Sequence, residues 1–339
     1  MTRKERFIRA LNYEKAVDHV PFMELEFHIY EEYIGKHMIS GYEYGKLSAK
    51  EKEAALYHNA EVMVETAEKA GHDAIRSISS YWEIVPGVPA FLWLPDNEAV
   101  YNQLRALKKV AGDEFYLLGT VSATFSIPEA DKIMEFSLDL FEKPEELKAS
   151  FNNKLETALE FQKKQLDAGA DAIVNASDVA FNTGTFLSPE AMEEFFYPYF
   201  LRWVDSLKSQ GIPSIWHTDG NLNGIVARIL QTGVTALQCI DPLAGMDIVS
   251  LMEELEGKLC LIGNINCANL CTGSAEEIEA EARQVIEGCK NRAGFILSCC
   301  NAVFEGIPAE SYEILVQSRR NYGTIKQLYV TLWGDRIDQ

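Results

Sequence analysis

Pro213-Ser214-Ile215-Trp216-His217-Thr218-Asp219-Gly220-Asn221 is a short apolar run that stops at a histidine, a carboxylate and a glycine. Buried parallel strands read this way when they deliver polar side chains to a site at their C-terminal ends. Side chains two apart on an extended strand share a side, so His217 and Asp219 face the same way and can bind a metal or share a proton. The structural alternative is that His217 packs in the mouth of the fold and Asp219 caps the next helix.

The same unit recurs on both sides of this stretch. Ala172-Ile173-Val174-Asn175, followed by Ala176-Ser177-Asp178, reads as the strand before it. Phe115 to Val121 and Asp73 to Ser79 precede that one, and Asp18 to Glu26 is the predicted first strand, with Glu24 and Glu26 on one side. Downstream, Thr235 to Ile240, Leu259 to Asn264 and Gly294 to Asn301 complete a set of eight. Helical patterns lie between them. One runs from about Ser48 to Ala70, Ser188-Pro189 places a cap before a first-turn proline, and Ser274-Ala275-Glu276-Glu277 is a capping box. Eight strands alternating with helices predict an α/β fold, a (β/α)8 TIM barrel, preceded by an extra N-terminal helix over Thr2 to Leu11 that acts as a lid or plug. A doubly wound open sheet is the alternative, but no glycine-rich phosphate loop follows any strand.

Composition narrows the function. The 339 residues are 47% hydrophobic, with no linker, repeat or low-complexity tract and with apolar periodicity to the last turn, which predicts a single domain. No apolar window approaches the length of a membrane span, and Met1-Thr2-Arg3-Lys4-Glu5-Arg6 leads into no signal-peptide core, so a cytoplasmic protein without membrane association is expected. Seven cysteines without a CxxC pair read as reduced thiols. A formal net charge of −20 argues against nucleic acid and disfavours a highly anionic substrate.

A barrel would gather its strand ends at one mouth: Glu24 and Glu26, Asn175 and Asp178, His217 and Asp219, Cys239 and Asp241, Asn264 and Asn266, and Cys299, Cys300 and Asn301. A histidine, a carboxylate and a thiolate make a three-ligand zinc site with an open position, which predicts His217, Asp219 and Cys300 as metal ligands. The catalytic candidates are His217, Asp219 and Asp178. Glu26, Asn175, Trp216 and Asn301 are the candidates for contacting a small-molecule substrate. Cys239, Cys260 and Cys289 suit a core as well as a site.

Several ordered pieces together resemble the uroporphyrinogen decarboxylase superfamily: Lys4-Glu5-Arg6 with Ala10-Leu11-Asn12 and Asp18-His19-Val20-Pro21; Leu187-Ser188-Pro189-Glu190-Ala191-Met192 with Tyr197-Pro198-Tyr199; His217 to Asn221; Ile262-Gly263-Asn264-Ile265; and Gly294 to Ser298. That superfamily contains haem-pathway decarboxylases and corrinoid-dependent methyltransferases, among them methylcobamide:coenzyme M methyltransferases and the methyltransferase I components of O-demethylases. The resemblance implies the same barrel. Its decarboxylase branch carries an Arg-Gln-Ala-Gly-Arg segment after the first strand, where this chain reads Met23-Glu24-Leu25-Glu26-Phe27-His28, which would repel a substrate with eight carboxylates. The coenzyme M branch holds zinc with His-x-Cys and a later Cys. Here those positions read His217 and Asp219, and the later one falls on Asn301 with Cys300 just before it.

The resemblance therefore implies a methyltransferase working with a cobalt corrinoid carried by a separate corrinoid protein, zinc-assisted and suited to a methoxylated or similar donor. A decarboxylase of a smaller acid and a non-catalytic protein that binds a corrinoid or an aromatic compound are the alternatives. The oligomeric state is open, and a homodimer is compatible with the sequence.

Overall fold

The computed structural model describes residues 1–85 and 87–325. Its centre is a seven-stranded, all-parallel sheet: β1 (Ala74–Arg76), β2 (Tyr116–Val121), β3 (Ala172–Ala176), β4 (Ser214–Thr218), β5 (Ala236–Cys239), β6 (Cys260–Ile265) and β7 (Phe295–Cys299). Each strand pairs with the next in chain order. Parallel neighbours need crossovers, and helices supply them. They include α2 (Ala49–Ala70), α3 (Asn97–Ala111), α4 (Pro144–Asp167), α5 (Tyr197–Lys208), α6 (Val226–Thr232), α7 (Ile248–Leu255) and α8 (Ala275–Cys289), with α9 (Ala309–Tyr322) after β7. This is the expected TIM-type barrel. No helix among the described residues is long and apolar enough to cross a membrane.

The predicted first strand forms differently. Only a bridge pairs Phe22 with Leu297. Leu297 N–H donates to Pro21 O (2.9 Å), Met23 N–H donates to Leu297 O (3.1 Å), and Asp73 N–H donates to Phe22 O (2.7 Å), so residues 21–23 close the ring between β7 and β1. Pro21 brings no N–H to a ladder, which limits pairing on this stretch. Glu26–Phe27 then pairs in parallel with Ala302–Val303 beyond the barrel wall.

The N-terminal helix α1 (Arg3–Leu11), capped by Thr2 in a capping box with Glu5, is a plug at the closed end. Its Phe7, Ala10 and Leu11 join Met23, Leu25, Ala74, Tyr116, Leu118, Ala172, Val174, Ile215, Ala236, Cys260, Ile262 and Ile296 in one apolar cluster. Arg6 is bonded to Asp18 and to the fully buried Asp73, whose second oxygen accepts from Phe22 N–H (2.8 Å) and Arg319 (3.3 Å). The predicted caps Ser48, Ser188 and Ser274 all start helices. The periodic C-terminal stretch, residues 326–339, lies outside the described residues.

Candidate active site

Alternation along the strands gives the barrel an apolar floor and a polar top. Two residues beyond the floor residues Ala74, Leu118, Ile215, Ala236, Ile262 and Ile296 come Arg76, Thr120, His217, Gln238, Asn264 and Ser298. Ladder register places His217 beside Gln238 and Asn264 beside Ser298, and Arg76 Nε–H donates to Thr120 Oγ1 (2.9 Å), so these residues form one level. The mouth begins there.

His217 is 8% exposed and is held from behind by Gln238. The Gln238 Nε2 group donates to the carbonyls of Cys299 and Cys300, each at 3.2 Å, which turns its Oε1 towards His217 Nδ1. An amide oxygen only accepts, so Nδ1 carries a proton and Nε2 faces the mouth. There Nε2 meets Asp219 Oδ1 at 3.7 Å and Asp178 Oδ1 at 3.9 Å. Burial opposes charge on His217, but the carboxylates of Asp219 and Asp178 and the Gln238 bond outweigh it and raise its pKa. Asp219 is itself shifted up, burial outweighing the nearby imidazole.

The turn that carries Asp219 is held at three points. Asp219 Oδ2 accepts from Asn301 Nδ2 (2.6 Å), its backbone N–H donates to Asp178 Oδ1 (2.9 Å), and Asn221 N–H donates to Phe181 O (2.9 Å). Gly220 has φ +90°, and a Cβ there would lie 2.4 Å from Ala180 O, so glycine is required for the 217–221 turn to dock on the 178–181 loop. Asp219 caps no helix. Its Oδ1 is buried without a hydrogen-bond partner in the protein.

His217, Asp219 and Asp178 each offer a ligand atom, and these atoms lie within 4.8 Å of one another. The orphaned Asp219 Oδ1, the outward Nε2 and the chemistry of one imidazole with two carboxylates fit a divalent ion such as zinc. Asp178, rather than Cys300, is the third potential ligand grouped with the predicted pair. Cys300 sits behind it among thiols, its Sγ 3.8 Å from Cys267 Sγ.

Glu26 lies across the mouth, joined to Arg76 (3.1 Å) and His28 (3.0 Å). Burial would raise its pKa, but Arg76 and His28 prevail and bring it down to about 2. Glu24 belongs to a different environment. Burial pushes its pKa up to about 8 against the bonds it accepts from Cys299, Tyr312 and Ser298. Between residues 24–28 and 74–78 lies a cavity of about 30 Å³ lined by Glu24, Glu26, His28, Thr66, Arg76 and Ser77, large enough for a water or two.

Two predicted substrate contacts do not reach the mouth. Trp216 is fully buried on the helix side, donating to Ser177 and packed against Phe196 and Phe200. Asn175 pairs with it across the ladder and spends its amide on Ala123, Thr124 and Ser177. Each is one residue out of step with the inward-facing set, and a single step along a strand reverses the face. Asn301 and Glu26 do lie at the mouth. Arg76 and Gln238 join them at the mouth without a local sequence mark, brought to the level of His217 by the alternation of the assembled barrel.

Sequence comparison matches residues 90–322 to the family described as uroporphyrinogen decarboxylase (URO-D). A uroporphyrinogen decarboxylase of Anaeromyxobacter dehalogenans is 24% identical over 66% of this chain and 64% of its own length. The methylcobamide:CoM methyltransferase MtbA of Methanosarcina mazei is 22% identical over 66% of this chain and 63% of its own. The matches therefore span a little under two thirds of these relatives. A solved methyltransferase structure from Methanosarcina mazei aligns with a TM-score of 0.71 at 19% identity, covering 95% of this chain and 99% of that one, which shows a shared fold.

Proposed function

We propose, from the premise that this chain belongs to the uroporphyrinogen decarboxylase family, that it is a corrinoid-protein-dependent methyltransferase acting on a small, uncharged methyl donor such as a methoxylated compound. The observation that carries this reading is the convergence of His217, Asp219 and Asp178 on one point at the barrel mouth. Methyl transfer from oxygen leaves an oxyanion, which has to be neutralised where it forms. His217 presents Nε2 at that place, and the two carboxylates favour its protonated form, so it can give a proton to the departing oxygen. Gln238 holds the ring in the one orientation that points Nε2 outward. Glu26 and Arg76 neutralise each other on the opposite wall, which suits an uncharged donor. Zinc bound by His217, Asp219 and Asp178 would take the place of that proton on Nε2 and would itself supply Lewis-acid stabilisation of the same oxygen.

Elemental analysis of the protein purified without added metal or chelator tests the site. About one zinc per chain, lost in His217→Ala, is the expected result. No metal in the wild type and none taken up from added zinc would remove zinc from the mechanism. A second reading, a decarboxylase of a small acid, draws on Arg76, the guanidinium at the mouth. Carbon dioxide release from a candidate acid by the purified protein alone would favour it.

A further inference from the structure

The mouth carries a second chemical cluster that methyl transfer does not use. Cys239 ends β5, Cys299 ends β7 with Cys300 just beyond it, and Cys267 opens the short helix Cys267–Thr272 after β6. Cys299 is engaged by Glu24, to which its thiol donates (3.4 Å). Cys267 and Cys300 face each other within the cluster, their sulfurs 3.8 Å apart.

We infer that Cys267 and Cys300 form an oxidative modification site in which a peroxide joins them as a disulfide. The register of the barrel brings them together. Ile265 pairs with Cys299, and Cys300 N–H donates to Ile265 O (2.8 Å), so the two cysteines leave the ends of neighbouring strands side by side. A disulfide needs its sulfurs at about 2 Å, and both residues lie past the last ladder pair, where backbone and χ1 can supply that approach. They are 7% and 6% exposed, so a molecule the size of hydrogen peroxide is the oxidant that fits. In the first step the Cys300 sulfur attacks one peroxide oxygen, the O–O bond breaks, and sulfenic acid and water result. The Cys267 sulfur then attacks the sulfenic sulfur, the S–O bond breaks, and a second water leaves. Two thiols and one peroxide become one disulfide and two waters, with two electrons passing from sulfur to peroxide.

The bond would not be silent. Cys300 O is one of the two carbonyls that orient Gln238, and Asn301 holds Asp219 at 2.6 Å. Drawing Cys300 towards Cys267 therefore strains the support of both His217 and Asp219.

The test uses the full chain, treated with hydrogen peroxide, quenched and digested without reductant. We expect free thiols in the denatured protein to fall by two from the seven of the sequence. A peptide containing Cys267 should be linked to the peptide containing Cys299 and Cys300, with two hydrogens lost and dithiothreitol restoring them. The link should disappear in Cys267→Ser and in Cys300→Ser and persist in Cys299→Ser and Cys239→Ser. Hydrogen exchange of residues 217–221 and 298–303 should rise on oxidation of the wild type and stay unchanged in Cys267→Ser. A link that survives Cys300→Ser, or oxidation to sulfinic acids without a link, would overturn the assignment. A link without any change in exchange would overturn the coupling to the site.

Discussion

At the residue scale, the least conspicuous member of the site sets what the others can do. Gln238 has no acid–base chemistry, yet its two bonds to Cys299 and Cys300 fix which nitrogen of His217 faces the mouth. Replacing such a support loosens a metal-binding histidine without removing it. Gln238→Leu should weaken zinc binding by roughly 10- to 100-fold in a competition assay while the fold is kept. Glu24 makes a different kind of prediction. Its pKa in the folded chain, about 8, lies above the ordinary 4.5, so the folded state holds the proton more tightly. The associated stability is present below pH 4.5 and is lost as the pH rises towards 8. Glu24→Gln cannot ionise, so its melting temperature relative to wild type should climb across that window. A difference that stays flat with pH would show that Glu24 does not titrate there. His217 and Asp219 were legible because a histidine and a carboxylate ending an apolar run stand out. Gln238 and Arg76 were not, because nothing in their local sequence marks them, and only the alternation of the assembled barrel gives them a role.

At the element scale, capping chemistry made the helices readable, whereas strand pairing had to be solved globally. The Asp18 to Glu26 stretch has the apolar pattern of a strand, but Pro21 limits its ladder, and Asp73 takes over part of the work. Asp73 binds Arg6 from the plug helix, Arg319 from α9 and the Phe22 backbone, tying three elements through one buried carboxylate. Asp73→Ala would leave the buried Arg319 guanidinium without its carboxylate partner, while Arg6 keeps Asp18. The expected loss is roughly 3–5 kcal/mol by chemical denaturation. A loss within the range of ordinary surface substitutions would mean that the cluster relaxes into solvent.

At the scale of the whole molecule, exposure is lopsided. Apart from Met1 and Ile8, the large apolar side chains that are exposed among the described residues all lie on connections that follow strands, the face that carries the mouth. Met134, Leu138 and Phe141 form a stripe on the helix Ile133–Glu142 after β2. An exposed apolar rim of this kind suits a protein that covers the site, the place the corrinoid carrier of the proposed reaction has to occupy. Phe141→Asp should lower kcat/KM for protein-bound corrinoid by about tenfold and leave that for free cobalamin unchanged. Equal losses with both would place Phe141 in the chemistry instead. This asymmetry was hidden in the sequence, where the same residues read as part of a general apolar content.

The closure of the barrel carries a consequence for how it breathes. Around most of the ring, adjacent strands share three to five paired positions, but residues 21–23 meet β7 through one bridge and β1 through a single main-chain bond and a carboxylate. A hoop fastened this way yields at its clasp. Thermal opening should concentrate where residues 21–23 meet Leu297 and Asp73, so amide protons there should exchange ahead of the laddered wall opposite, which carries His217.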